Sequence, residues 1–135
     1  MNKSTGIFRY SPSCKSIPNV SKWWLVIDSC PELARLYREL SNYHYRAQFK
    51  LHRPAWDSHI SIIRDEKPPI EELWLKYNGL EVEFEYESMV LNNGQYFWLP
   101  VRCEKALDIR EEMGLDRNPF FNLHLSFGMI HGDIK

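Results

Sequence analysis

With 135 residues, 44% of them hydrophobic and 14% aromatic, the chain suits one compact domain with a core of its own and argues against a disordered protein. A formal net charge of −1 excludes a protein that holds long duplex nucleic acid mainly by counterion release. Cys14, Cys30 and Cys103 are odd in number and lack a C-x-x-C spacing, which argues against a disulfide framework and a zinc site and fits a reducing cytoplasm. No apolar run is long enough to span a bilayer, so a soluble, unexported protein without a membrane role is expected.

Residues 1–22, rich in Ser, Pro and Lys, read as a loop-like opening with an apolar knot at Ile7, Phe8 and Tyr10. Lys22 to Asp28 reads as a buried strand, and Pro31 then stands in the first turn of a helix over 31–41. Leu33, Leu36, Tyr37 and Leu40 share one face of that helix and are expected to point inward, with Arg35, Arg38 and Glu39 on the polar face. Residues 40–56 contain no acid but interleave Arg46, Lys50, Arg53, His44 and His52 with Tyr43, Tyr45, Phe49 and Trp56. Such a mixture meets phosphate and base together, or else forms a basic loop whose long stems lie over aromatic core.

DSHISIIR at 57–64 is a strand by its β-branched content. Ile70, Leu73, Trp74 and Tyr77 predict a second amphipathic helix stopped by Gly79. From Leu80 to Glu87 every second residue is glutamate, the pattern of a strand with one buried face and one wet one. Asn92-Asn93-Gly94 predicts a hairpin turn into a strand at Tyr96 to Val101. A third helix over Cys103 to Met113 precedes Gly114, and Asn122 to Ile130 forms the last strand. The order is that of a single α+β domain over 1–135 in which two similar halves each end on a histidine strand.

Side chains alternate on a strand, so His59, Ser61 and Ile63 are expected on one face and Ser58, Ile60, Ile62 and Arg64 on the other. In the last strand Asn122, His124, Ser126 and Gly128 form a polar row opposite Leu123, Leu125, Phe127 and Met129. Cleaving a phosphodiester requires one proton taken from the nucleophile and one given to the leaving oxygen. Two imidazoles, with an ordinary histidine pKa near ~6.5, can divide those roles across one phosphate. A serine two residues along the same face, roughly 7 Å away, can donate to the non-bridging oxygens. His59, Ser61, His124 and Ser126 are therefore the candidate catalytic residues; which histidine is acid and which is base stays open. No metal is called for, since neither histidine has an i+4 partner.

His59-Ile60-Ser61 and His124-Leu125-Ser126 resemble the paired histidine-hydrophobic-Thr/Ser motifs of the 2H phosphoesterases. The resemblance covers most of the chain in element order and rests at residue level on these motifs. It implies a bilobal fold of two pseudo-symmetric lobes around a cleft, no cofactor, and nucleotide ligands with 2′,3′-cyclic, 2′-5′ or 3′-5′ linkages. Serine stands in both motifs where the family often has threonine, which keeps the hydroxyl. Within the family, the short length, Arg53-Pro54-Ala55-Trp56 before the first motif and the aromatic start around Tyr10 look like the phage anti-CBASS nucleases, which degrade cyclic oligonucleotide messengers. That likeness implies substrate-binding roles for Tyr10, Arg53, Trp56 and Trp74, with Tyr10 and Trp74 stacking on bases, although Trp74 also lies on the apolar face of its expected helix. The expected partner is a cyclic di- or trinucleotide in the cytoplasm, a host cytoplasm if the protein is phage-encoded. Two other readings stand beside it, a 2′,3′-cyclic phosphodiesterase of RNA ends or tRNA processing, and a protein that binds a nucleotide without cutting it.

Overall fold

The computed structural model describes residues 1–10, 23–54 and 58–130. Among these run β1 (Asn2–Tyr10), β2 (Trp24–Ser29), α1 (Pro31–His44), β3 (His59–Arg64), β4 (Glu81–Tyr86), β5 (Leu91–Asn92), β6 (Tyr96–Arg102), α2 (Glu104–Glu112) and β7 (His124–Met129). The class is α+β. Strands pair in the order β4-β1-β2-β3-β7-β6-β5, all antiparallel, and β4 pairs again with β6 through Glu85–Arg102 and Tyr86–Val101. Six strands thus close into a barrel, which removes the unpaired edges an open sheet would expose. Phe8, Leu25, Ile27, Ile60, Ile62, Leu99, Leu125 and Phe127 supply the core from the strands, and Ala34 of α1 with Ala106 and Ile109 of α2 close it. No helix among the described residues is long and apolar enough to cross a membrane.

Several expectations hold. Val82 and Phe84 are buried while Glu81 and Glu83 are exposed, as the alternating glutamates require. The Asn92-Asn93-Gly94 turn is closed by its own side chains: Asn93 Oδ1 accepts from the backbone N–H of Gln95 and of Tyr96 at 3.0 and 2.8 Å. Gly114, at φ +87, follows α2 where a left-handed residue ends a helix.

Three expectations are corrected. The opening is no loop over its first ten residues, because Asn2–Tyr10 is a strand between β2 and β4. Gly6, Phe8 and Tyr10 are buried and Ile7 and Arg9 exposed, but an apolar residue on each face hides that period in the sequence. Residues 11–22 lie outside the described residues. The helix expected around Ile70 to Tyr77 shrinks to one 3-10 turn at Glu71–Leu73, since Trp74 is extended and Leu75 stands at φ +78. Tertiary partners override the spacing there: Tyr77 donates its hydroxyl to Glu112, and Trp74 packs edge-on against Tyr10 and Trp23. Finally, the inward face of α1 is only partly as expected: Leu33 and Tyr37 pack against the core, but the rest of the stripe does not. Leu36 and Leu40 are exposed, and the small Ala34 and Ser41 face inward, where the helix approaches β7 closely.

The decisive departure from simple alternation is a pair of β-bulges. In β2–β3, Leu25 pairs with Ile63 but Val26 with Ser61, leaving Ile62 as the extra residue. In β6–β7, Phe97 pairs with Gly128 but Trp98 with Ser126, leaving Phe127 extra. Each bulge falls three residues after a histidine, and each shifts the side-chain phase beyond it. Ile62 and Ile63 consequently both enter the core, and Arg64 returns to the face of His59 and Ser61, contrary to strict alternation. Gly128 likewise leaves the polar row and faces Leu51, a core residue.

A bulged residue loses its ladder partner, and its carbonyl must be satisfied elsewhere. Arg110 of α2 donates to the Ile62 carbonyl at 2.9 Å, and Arg38 of α1 donates to the Phe127 carbonyl at 2.8 Å. Arg110 is almost wholly buried, and both its terminal nitrogens also meet the Glu66 carboxylate at 2.8 Å. The helix following β2 thus braces β7, and the helix following β6 braces β3.

Candidate active site

β3 and β7 are neighbours, joined at the Ile60–Leu125 pair. Read one residue to either side, that antiparallel pairing sets His59 across from Ser126 and Ser61 across from His124. The two histidines therefore stand on a diagonal of the sheet, where Cα separations are roughly 7–8 Å. All four side chains line one cavity of about 700 Å³, together with Trp24, Pro54, Arg64, Asp65, Asn93, Tyr96, Trp98, Phe120 and Phe121. Ser61 is buried, while His59, His124 and Ser126 are half-buried at the cavity wall. A second hollow of about 280 Å³ adjoins it and shares Trp98 and His124.

The quartet is oriented by its neighbours. His124 Nδ1 lies 2.7 Å from the Asn122 carbonyl, which can only accept, so Nδ1 carries hydrogen and Nε2 is left to exchange a proton. Trp24 donates its indole N–H to Ser61 Oγ at 3.0 Å, which leaves the serine hydrogen available to another acceptor. The Trp24 ring also meets His59 edge-on at 5.8 Å, and Trp98 lies at the same centroid distance from His124. Ser58, immediately before His59, is buried at φ +59. Its hydroxyl donates to the Cys30 carbonyl at 2.7 Å, and its own carbonyl accepts from Ser29 N–H at 2.8 Å, which pins an unfavourable backbone conformation at the entry to the strand.

Of the residues expected to bind substrate, the structure does not bring Tyr10, Arg53 or Trp74 to this cavity. Tyr10 is buried; its hydroxyl lies near the Tyr77 backbone but completes no hydrogen bond among the described residues, and burial pushes its pKa up to about 12. Trp74 packs against it, and Arg53 is exposed and is not among the residues lining the cavity, which the adjacent Pro54 reaches. Trp56 lies outside the described residues. In the segment after α1, Tyr45 stacks on Phe49 and both pack against Phe97, so its aromatics serve the core.

Sequence reasoning missed Trp24, Arg64, Tyr96, Trp98, Phe120 and Phe121. The alternation of residues 96–101 put Trp98 on the face opposite Phe97 and Leu99 and was the available signal for it, whereas Arg64 was hidden by the bulge. Phe120, 81% exposed beside the cavity, is the largest apolar surface at its rim. Among the described residues no three His, Cys, Asp or Glu side chains gather as a metal ion would need. No family model matches the chain, and no curated protein and no solved structure is detectably similar to it.

Proposed function

We propose that the protein is a metal-independent phosphodiesterase of nucleotides, with the 2H arrangement of two pseudo-symmetric lobes about a cleft. The observation that carries this is the quartet on β3 and β7: two histidines on a diagonal, each faced across the ladder by the other strand's serine, in one open cavity. One imidazole removes the proton of the attacking hydroxyl or water, and the other protonates the leaving oxygen. Ser61 and Ser126 donate to the non-bridging oxygens as charge builds there. The matching bulges, each braced by an arginine, support the two-lobed reading, because they repeat one backbone device at the same distance from each histidine.

The aromatic rim favours a nucleotide over a simple phosphodiester, since Tyr96, Phe120 and Phe121 offer flat faces for bases. A cyclic oligonucleotide messenger, cut in the cytoplasm as phage counter-defence, is the substrate proposed first; a cavity of about 700 Å³ with an adjoining hollow suits a ligand larger than one nucleotide. The second reading is a 2′,3′-cyclic phosphodiesterase of RNA ends, which uses the same four side chains.

The test is incubation with cyclic dinucleotides, cyclic trinucleotides and 2′,3′-cyclic mononucleotides in excess EDTA, followed by product mass. Cleavage of the cyclic oligonucleotides is expected. Turnover confined to mononucleotides supports the second reading, and recovery of every ligand intact rejects both.

A further inference from the structure

We propose that Arg64 forms an anion subsite beside the quartet and takes a second phosphate of the ligand, so that preferred substrates carry at least two phosphate groups. The inference rests on the quartet being the place where the scissile phosphate sits.

Arg64 reaches the cavity only because of the bulge at Ile62, which turns it onto the face of His59 and Ser61. That bulge is held by the buried Arg110, so the direction of Arg64 is set by the fold. Its guanidinium lies over the Trp24 ring, 5.3 Å from the centroid, an arrangement that steadies the planar group while leaving its edge donors open. Arg9, Arg35, Arg110 and Arg117 are each paired with carboxylates. The Arg64 guanidinium has no ion pair among the described residues, although it lines the cavity.

One indole links the two sites, since Trp24 holds Ser61 at its N–H edge and Arg64 on its face. Arg64 stands three residues beyond Ser61 on the strand, roughly 7–10 Å away at the backbone. The quartet already supplies two hydroxyls and two imidazoles to one phosphate, and Arg64 lies outside that rectangle. A neighbouring phosphate is the anion this spacing suits, with the intervening nucleoside beside the aromatic rim. Asp65, also at the cavity, opposes the same anion in part.

The experiment is calorimetric titration in a His124→Ala background, so that ligands stay intact, with a cyclic dinucleotide, a linear dinucleotide bearing a 5′-phosphate, and a 2′,3′-cyclic mononucleotide. Arg64→Gln is expected to weaken both dinucleotides about tenfold more than the mononucleotide, the scale of a lost charge-assisted contact. Arg64→Lys should fall between, and Asp65→Asn should tighten the dinucleotides. Both positions are exposed, and circular dichroism of each variant confirms the fold. Equal weakening of all three ligands, no weakening, or failure of the dinucleotides to bind overturns the subsite. Cleavage by the unsubstituted protein in EDTA is read separately: the Arg64 pattern without cleavage sinks the phosphodiesterase and keeps the subsite, and cleavage without the pattern does the reverse.

Discussion

β3 and β7 carry the same order of histidine, aliphatic residue and serine and the same bulge three residues after the histidine, yet their surroundings diverge. Around β3, the serine accepts from an indole, the bulge carbonyl is held by a buried arginine paired with Glu66, and the residue two beyond the bulge is Arg64. Around β7, the histidine is oriented by the Asn122 carbonyl, the bulge carbonyl is held by the less buried Arg38, and the corresponding residue is the buried Met129. The backbone device is repeated while the side chains around it have separate tasks. Arg64 of β3 lines the cavity, whereas its counterpart on β7, Met129, is turned into the interior.

The two bulges are braced by arginines of unequal burial, Arg110 almost wholly enclosed and Arg38 half-buried. Arg110→Met strands the Glu66 carboxylate and the Ile62 carbonyl, and should cost about 3–5 kcal/mol in urea unfolding. Arg38→Met, on the β7 side, should cost about 1–2 kcal/mol. Adding Glu66→Leu to Arg110→Met should recover part of the loss, because the unpaired charge is then removed. Equal losses at the two arginines would mean that the bulges are braced alike.

The histidines themselves come next. His59→Ala and His124→Ala should each lower the cleavage rate by at least about 100-fold, with the double variant little worse, because acid and base act as a unit. Full additivity, or survival of activity in either, would remove one strand from the chemistry.

A smaller contrast separates the tryptophans. Trp24→Phe deletes the donor to Ser61 and should lower kcat about tenfold, whereas Trp98→Phe, which keeps an aromatic beside His124, should stay within about twofold. Identical effects would show that the indole donor is idle.

The smallest effect lies away from both strands. Tyr10 buries a hydroxyl that has no hydrogen-bond partner among the described residues, so Tyr10→Phe should leave stability at neutral pH unchanged or raise it by about 1 kcal/mol. Its folded pKa, raised to about 12 by burial, lies above the ordinary tyrosine value near ~10, so the folded state holds the proton longer. That stability is present in full below pH ~10 and is lost as pH rises toward the folded value. Thermal unfolding at alkaline pH should therefore fall less steeply in Tyr10→Phe, and the activity should survive, since Tyr10 does not line the cavity.

Much of this architecture was legible from local pattern. The glutamate alternation of β4, the Asn-Asn-Gly hairpin and the glycine after α2 each follow from chemistry contained within a few residues. Helix existence at α1 was readable, and its inward face in part, since Leu33 and Tyr37 pack on the core while Leu36 and Leu40 do not. The apolar stripe through Leu36 and Leu40 was the stronger signal in the sequence, while the close approach of β7 selects Ala34 and Ser41. The helix expected around Trp74 failed for a related reason: its aromatics have partners far along the chain that no local period encodes.

Local pattern was enough for the α+β class and for placing His59, Ser61, His124 and Ser126 on strands, because motif identity and two-residue alternation are local properties. Long-range pairing makes the two strands neighbours, turns Arg64 toward the histidines through the bulge at Ile62, and walls the cavity with Trp24, Trp98 and Phe120 rather than Tyr10 and Trp74. Strand adjacency and bulge position depend on which distant segment pairs with which, and the carbonyls that a bulge frees must be met by side chains some 50 to 90 residues away in sequence.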